Sequence, residues 1–419
     1  MTRSHAHRIA TVVLPVVAGL TIALTGLLVD PSPARGEDVE ATHCFTGTFT
    51  AISGSQELTS ASHWAHHGIV RSSNKKFENA ATYCGGANRG TGPTRQGYVL
   101  CRMVDADGDI IMIHDPQPAG LVALRRRPGQ SWVWRCHIDL SNPDQQVWDF
   151  LEPWVARYDA AIFSAAAFVR RLPIPSYLAP PSIDPFADKN RELTELEMER
   201  ALEKLNVLGR GPIVCQVSRF DRLKDPVGVV AAFARVRRKT RAHLVLAGGG
   251  ADDDPEGAAV LAETREAAKG VKDVTLLDLP NDSNIEINAL QRASAVVLQK
   301  SLREGFALTV SEALWKERAV VASAVGGIPL QILHGRTGLL VRSIEGTAVQ
   351  VLKLLDHAAL RKRLGQAGRA QVRRHFLLPR ETRDYLAVSL SALLSRRETA
   401  GVRFDGRSGA PTPVSSISA

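Results

Sequence analysis

Residues 295–327 read AVVLQKSLREGFALTVSEALWKERAVVASAVGG. An apolar run, AVVLQKS (295–301), breaks at the polar turn LREG. From Phe306 onward Leu308, Val310, Ala313 and Leu314 recur at helical spacing, and a second apolar run, AVVASA (319–324), follows. Runs apolar at successive positions fit strands covered on both faces, and a helix between two of them makes a parallel crossover. Two glutamates stand out. Glu304 sits at the mouth of the helix and Glu312 two turns inside it, about 12 Å further along at about 1.5 Å per residue. The amides of Gly305, Phe306 and Ala307 at a helix start form a ready anion site. A carboxylate only accepts hydrogen bonds, so Glu304 beside that site suits hydroxyl groups. The spacing is comparable with the reach of a nucleoside diphosphate sugar, one glutamate at the sugar and the other at the ribose.

The same texture extends in both directions. Apolar runs at 109–115, 131–139, 160–164, 212–218, 243–250, 274–279 and 338–341 alternate with amphipathic stretches to about residue 395. The expected fold class is α/β, with two Rossmann-like domains of parallel sheet facing each other across a cleft. An acidic helical connector (188–207) divides 109–187 from the second domain, 208–375. A C-terminal helix is expected over 376–397 and a disordered tail over 398–419, which is rich in Gly, Ser and Pro.

The start of the chain differs. MTRSHAHR precedes the apolar run 9–29 and a Pro/Ala/Gly-rich exit, so 1–36 reads as a signal peptide or membrane anchor that associates with a membrane through 9–29. With Arg3 and Arg8 ahead of the run, the body would lie outside the cytoplasm. Residues 37–108 form a β-rich segment, with strand-like pieces at 44–52, 66–70 and 97–104 between turn residues.

Composition narrows the partners. The formal charge of +9 accompanies only 5% aromatic residues, and the basic residues are scattered over helices. That excludes a base-stacking nucleic-acid surface and favours a smaller phosphorylated ligand. Cys44, Cys84, Cys101, Cys136 and Cys215 show no CxxC spacing. The last two read as buried thiols, and export would allow a disulfide among the first three. His63, His66 and His67 have helical spacing but no acidic or thiol ligand in their segment. DADGD (105–109) has its glycine too early for a calcium loop, and the DDD at 252–254 reads as an exposed loop. No metal or other cofactor is expected.

Two further stretches carry chemistry. VCQVSRFDRLKDP (214–226) ends a strand with Arg219 and Lys224 five apart, where doubly wound sheets bind ligands. Two cations there suit a diphosphate, although ion pairs with Asp221 and Asp225 would equally account for them. LVLAGGG (244–250) ends a strand in glycines, and Gly248 permits close approach of backbone to a ligand.

SRFDRLKDP, LVLAGGG and SLREGFALTVSEALWKERAVVASAVGGIP, in this order, resemble the nucleotide-sugar domain of retaining GT-B glycosyltransferases of family 4. IHDPQPAGLV (113–122), WVWRCHIDLS (132–141), YDAAIFS (158–164) and PPSIDPFADKNREL (180–193) are similar to the trehalose synthase/trehalose phosphorylase branch, and the resemblance covers about 109–390. It implies catalytic roles for Glu304, His137, Arg219 and Lys224. It also implies donor contacts from Arg219, Lys224, Gly305, Phe306, Ala307, Glu312 and Gly248, and acceptor contacts from His137 and Asp139. The implied reaction moves glucose from ADP- or UDP-glucose to glucose, giving trehalose without a metal. The same motifs serve a phosphorylase that uses glucose 1-phosphate. Members of the branch carry further βα units before the HDPQP strand, so the first domain is expected to be truncated at Asp109. A truncated domain leaves a third reading, an exported or membrane-tethered sugar-nucleotide-binding module without turnover, whereas the resemblance itself implies a cytoplasmic enzyme.

Overall fold

The computed structural model describes residues 9–12, 42–50, 82–89, 94–103, 110–124, 130–249 and 255–401. The first lobe is built on five parallel strands, β1 (Ile9–Val12), β5 (Ile110–His114), β6 (Ser131–Cys136), β7 (Ala160–Phe163) and β8 (Ser176–Leu178), hydrogen-bonded in that order. A separate antiparallel sheet joins β2 (Thr42–Thr50), β4 (Thr94–Met103) and β3 (Thr82–Arg89), and its register sets Cys84 opposite Cys101. The segment 66–70, His63, His66, His67, the 105–109 turn, the DDD loop and the tail from 402 lie outside the described residues, as do residues 13–29 of the expected leader.

Four residues of that stretch are described. Ile9–Val12 form a strand in register with Ile110–Ile113. An apolar, partly β-branched stretch fills the open edge of a sheet as readily as it forms a helix. Among the described residues no helix is long and apolar enough to cross a membrane.

The second lobe has six parallel strands. They are β9 (Ile213–Val217), β10 (His243–Gly248), β11 (Val274–Asp278), β12 (Ser294–Gln299), β13 (Ala319–Ser323) and β14 (Leu339–Val341), in the order β11-β10-β9-β12-β13-β14. This is the doubly wound order, whose direction of winding reverses between β9 and β12. Alternate residues serve the two faces. Cys215, Val245, Val297 and Val320 pack on one side, and Val214, Leu244, Val296 and Val321 on the other. Cys136 and Cys215 are both buried thiols, pushed up to about 12 chiefly by burial.

The helices are α1 (Gln145–Val155), α2 (Glu195–Lys204), α3 (Pro226–Arg237), α4 (Pro255–Ala268), α5 (Asn284–Ala293), α6 (Leu308–Trp315), α7 (Ile328–Gln331), α8 (Ile344–Asp356), α9 (Ala358–His375) and α10 (Leu378–Gly401). Helix α1 lays Trp148, Leu151 and Val155 on one face of the first sheet, against Trp132, Trp134 and Phe163. Helix α10 returns from the second lobe to cover the other face, where Val388 and Ala392 meet Ile110, Met112 and Ile162. The chain therefore crosses between lobes twice, and the crossings bond to each other. Ile183 N–H donates to the Phe376 carbonyl, and Leu378 N–H to the Ile183 carbonyl.

Candidate active site

The loops leaving β9 and β12 flank the switch point, and buried Gln216 on β9 clamps them together. Its side-chain amide donates to the Lys224 carbonyl at 2.9 Å, and its oxygen accepts the Lys300 N–H at 2.8 Å. Leu302 N–H adds a bond to the Leu223 carbonyl. Within the first loop Asp221 accepts the Leu223 N–H, and Asp225 caps α3 from a left-handed conformation with Pro226 following. These constraints send Lys224 across the gap. Its Nζ lies 2.6 Å from Oε2 of Glu304. The ion pairs anticipated within the loop form only in part: Arg219 does meet Asp221, at 2.9 Å, whereas Asp225 pairs with Lys300.

Glu304 is buried, and its Oε2 takes every contact it makes among the described residues: Lys224, Ser301 Oγ at 3.0 Å and Gln299 Nε2 at 3.4 Å. Oε1 is thus the oxygen left for a ligand. The loop is shaped by its neighbours. Gly326 has φ +54° and its missing Cβ would stand 1.6 Å from the Glu304 carbonyl oxygen. Gly326→Ala should therefore destabilise the protein by about 2 kcal/mol or more, read from urea unfolding. An unshifted midpoint would contradict this close approach. Gly248 is fixed in the same way, since a Cβ there would stand 1.8 Å from the Ser218 carbonyl oxygen.

Helix α6 begins later than the sequence predicts. Ala307 is its N-cap in the left-handed region, φ 70°, with no side-chain cap, while the Val310 N–H bonds back to the Ala307 carbonyl. Glu312 consequently lies in the second turn of the helix rather than two full turns beyond Glu304, because Gly305 to Ala307 are loop. Its side chain is buried. Oε1 is 3.6 Å from Lys189, and Oε2 has no hydrogen-bond partner among the described residues. Behind it Lys316 is buried on Asn190, Gln291 and the Glu312 carbonyl. Burial brings its ammonium down to about 7, against the pull of Glu312.

The first lobe meets this loop at Gly305, whose missing Cβ would be 2.6 Å from the His137 carbonyl oxygen. His137 follows β6, and its backbone N–H donates to Asp115 at 3.0 Å. Burial and nearby Arg135 hold His114 down at about 3, and the same causes, with His114, lower His137. Burial raises Asp115 to about 6, against the His137 N–H and Arg135. Asp139 caps the Ser141 amide and faces Arg303, which also donates to the Asp139 and Asn142 carbonyls. Residues 301–305 and 137–142 thus line one seam between the lobes. Sequence reasoning passed over His114, Asp115, Gln216 and Lys300. Their only signal was a polar residue at the end of, or inside, an apolar strand.

Residues 51–170 match the family described as trehalose synthase, N-terminal domain, and residues 197–371 match glycosyl transferases group 1. The chain is 40% identical over 282 residues to a trehalose synthase of Thermococcus litoralis, covering 66% of this chain and 68% of that one. It is 43% identical to a trehalose synthase of Rubrobacter xylanophilus, with the same coverage. Among solved structures it is similar to an α,α-trehalose-phosphate synthase (UDP-forming) from Burkholderia vietnamiensis. The TM-score is 0.55 at 18% identity, covering 68% of this chain and 72% of that one, a likeness of fold. Paired Rossmann-like lobes with cations and carboxylates at the switch point define a glycosyltransferase of the GT-B class. More narrowly, the chain belongs to the trehalose synthase family, and its chemistry is a trehalose-related glycosyl transfer.

Proposed function

We propose that the protein moves glucose from UDP- or ADP-glucose to a second glucose, retaining the anomeric configuration and forming trehalose. The observation that carries this reading is the 2.6 Å Lys224–Glu304 pair at the switch point. In this reading the pair holds the site until the donor arrives. Lys224 then turns to the diphosphate, and Glu304 is released to accept hydrogen bonds from the sugar. As the bond from the anomeric carbon to phosphate oxygen breaks, its electron pair goes to that oxygen. A preformed cation in a desolvated cleft stabilises the growing charge better than solvent does. Arg219 and the amides at Gly305, Phe306 and Ala307 act with it, and Glu312 takes the ribose hydroxyls. His137 meets the sugar from the first lobe, with Asp139 beside the acceptor. The acceptor hydroxyl attacks on the face that phosphate leaves and passes its proton to the departing oxygen. The products are trehalose and a nucleoside diphosphate, with no covalent enzyme intermediate and no metal in the path. The relatives' name and the UDP-forming fold neighbour support this choice of donor and product.

The test uses the full chain. UDP- or ADP-glucose at a hundredfold of Kd should stabilise it by about 2.7 kcal/mol, and donor plus glucose should yield trehalose. Stabilisation without trehalose would make it a sugar-nucleotide-binding module. Trehalose and phosphate formed from glucose 1-phosphate and glucose, with no nucleotide sugar present, would replace the nucleotide donor. Neither a shift nor product with any donor overturns the proposal.

A further inference from the structure

The reading above uses only one of two linked imidazoles. His114 closes β5 and His137 follows β6, neighbouring parallel strands, so both rings leave the same edge of the sheet. Nδ1 of His114 lies 2.8 Å from Nε2 of His137, with ring centroids 5.1 Å apart and planes 12° apart. That centroid distance equals a hydrogen bond plus the two ring radii, so the rings meet edge to edge in one plane rather than face to face. A neutral imidazole carries one N–H and one lone pair, so the tautomer of either ring dictates that of the other.

The environment chooses between the two arrangements. Among the described residues, Nε2 of His114 is buried without a hydrogen-bond partner. An orphaned N–H is less tolerated in a protein interior than an unused acceptor. The groups facing the pair are Asp115, engaged with the His137 amide, and Arg135, held by Ser164, Tyr385 and the Ala179 carbonyl. The positive field of Arg135 favours a lone pair on His114. The His114 proton then sits on Nδ1 and is donated to Nε2 of His137, which places the His137 proton on its own Nδ1. With the other three ring nitrogens sealed or bonded to each other, Nδ1 of His137 is the one a ligand can engage.

We propose that His114 is a positioning residue that fixes His137 as an Nδ1–H donor to a hydroxyl of the bound hexose. This rests on the placement of His137 at the transferred sugar. A long-range proton–nitrogen spectrum of the histidine-labelled full chain, assigned with His114→Asn and His137→Asn, should show both rings protonated at Nδ1. A proton on Nε2 of His137 overturns the inference.

Binding gives the second readout. His114→Leu should weaken UDP-glucose (or ADP-glucose) by about fivefold to tenfold, one lost neutral hydrogen bond, and leave the nucleoside diphosphate unchanged. His114→Asn, whose amide nitrogen stands where Nδ1 stood, should bring affinity back to within about twofold of wild type on the same scale. Equal weakening of both ligands, or of neither, overturns the role of His114. Unchanged nucleotide-glucose affinity in His137→Ala overturns instead the placement of His137, and the tautomer spectrum then stands or falls separately.

Discussion

Replacing Lys224 with alanine is expected to destabilise the protein by about 3 kcal/mol and to lower trehalose formation by about a thousandfold. The two effects share one cause. Lys224 and Glu304 are 19% and 8% exposed at their side chains and 2.6 Å apart. Without the ammonium, Ser301 and Gln299 are the donors left to Glu304, and an uncompensated buried carboxylate is more costly than the absence of the pair. Adding Glu304→Gln to Lys224→Ala should therefore restore much of the lost stability while leaving turnover abolished. Glu304→Gln alone should also abolish turnover, since the amide cannot accept from sugar hydroxyls through both of its polar atoms. Urea unfolding of the four-member cycle, with trehalose formation measured in parallel, separates the two effects. Additive stabilities, or full turnover in either single variant, would refute the assigned roles.

Acidification gives the second large effect. His114 has its folded-state pKa depressed to about 3 from 6.5, so the stability it permits is present above pH 6.5 and is lost as pH falls toward 3. Between pH 7 and 5 this amounts to about 2 kcal/mol, and His137 acts in the same direction. Asp115 works oppositely. Its folded-state pKa is raised to about 6, so it favours the folded state as pH falls from 6 toward 3.8, which offsets about 1 kcal/mol by pH 5. The net expectation is a clear loss of stability over that interval, visible as a lower urea midpoint. His114→Asn should make the decline shallower by about 2 kcal/mol, because an amide does not titrate. A midpoint that is flat from pH 7 to 5, or an equal decline in the variant, would refute the account.

The second lobe was legible in the sequence because each strand is apolar on both faces and survives as an unbroken run. β8 was not, for Ser176, Tyr177 and Leu178 alternate between exposed and half-buried and leave no such run. β1 lies inside the apolar stretch 9–29, where no break in hydrophobicity sets it apart. At the site Glu304 and Lys224 could be named, yet the pairing between them could not. Asp225 is adjacent to Lys224 in sequence, whereas Glu304 is 80 residues away. The choice is made by Gln216, which locks the two loops at a register no local pattern encodes. Glu312 was placed too deep because the left-handed Ala307 delays the helix, a conformation that composition does not advertise.

The paired chain crossings at Ile183 and Phe376–Leu378 have a mechanical consequence. Two segments stitched side by side by their own backbone bonds behave like the spine of a book: the covers can swing, while sliding or twisting one past the other would tear the stitching. Any swing of the lobes about that line would carry His137 toward or away from Gly305, the contact across the seam.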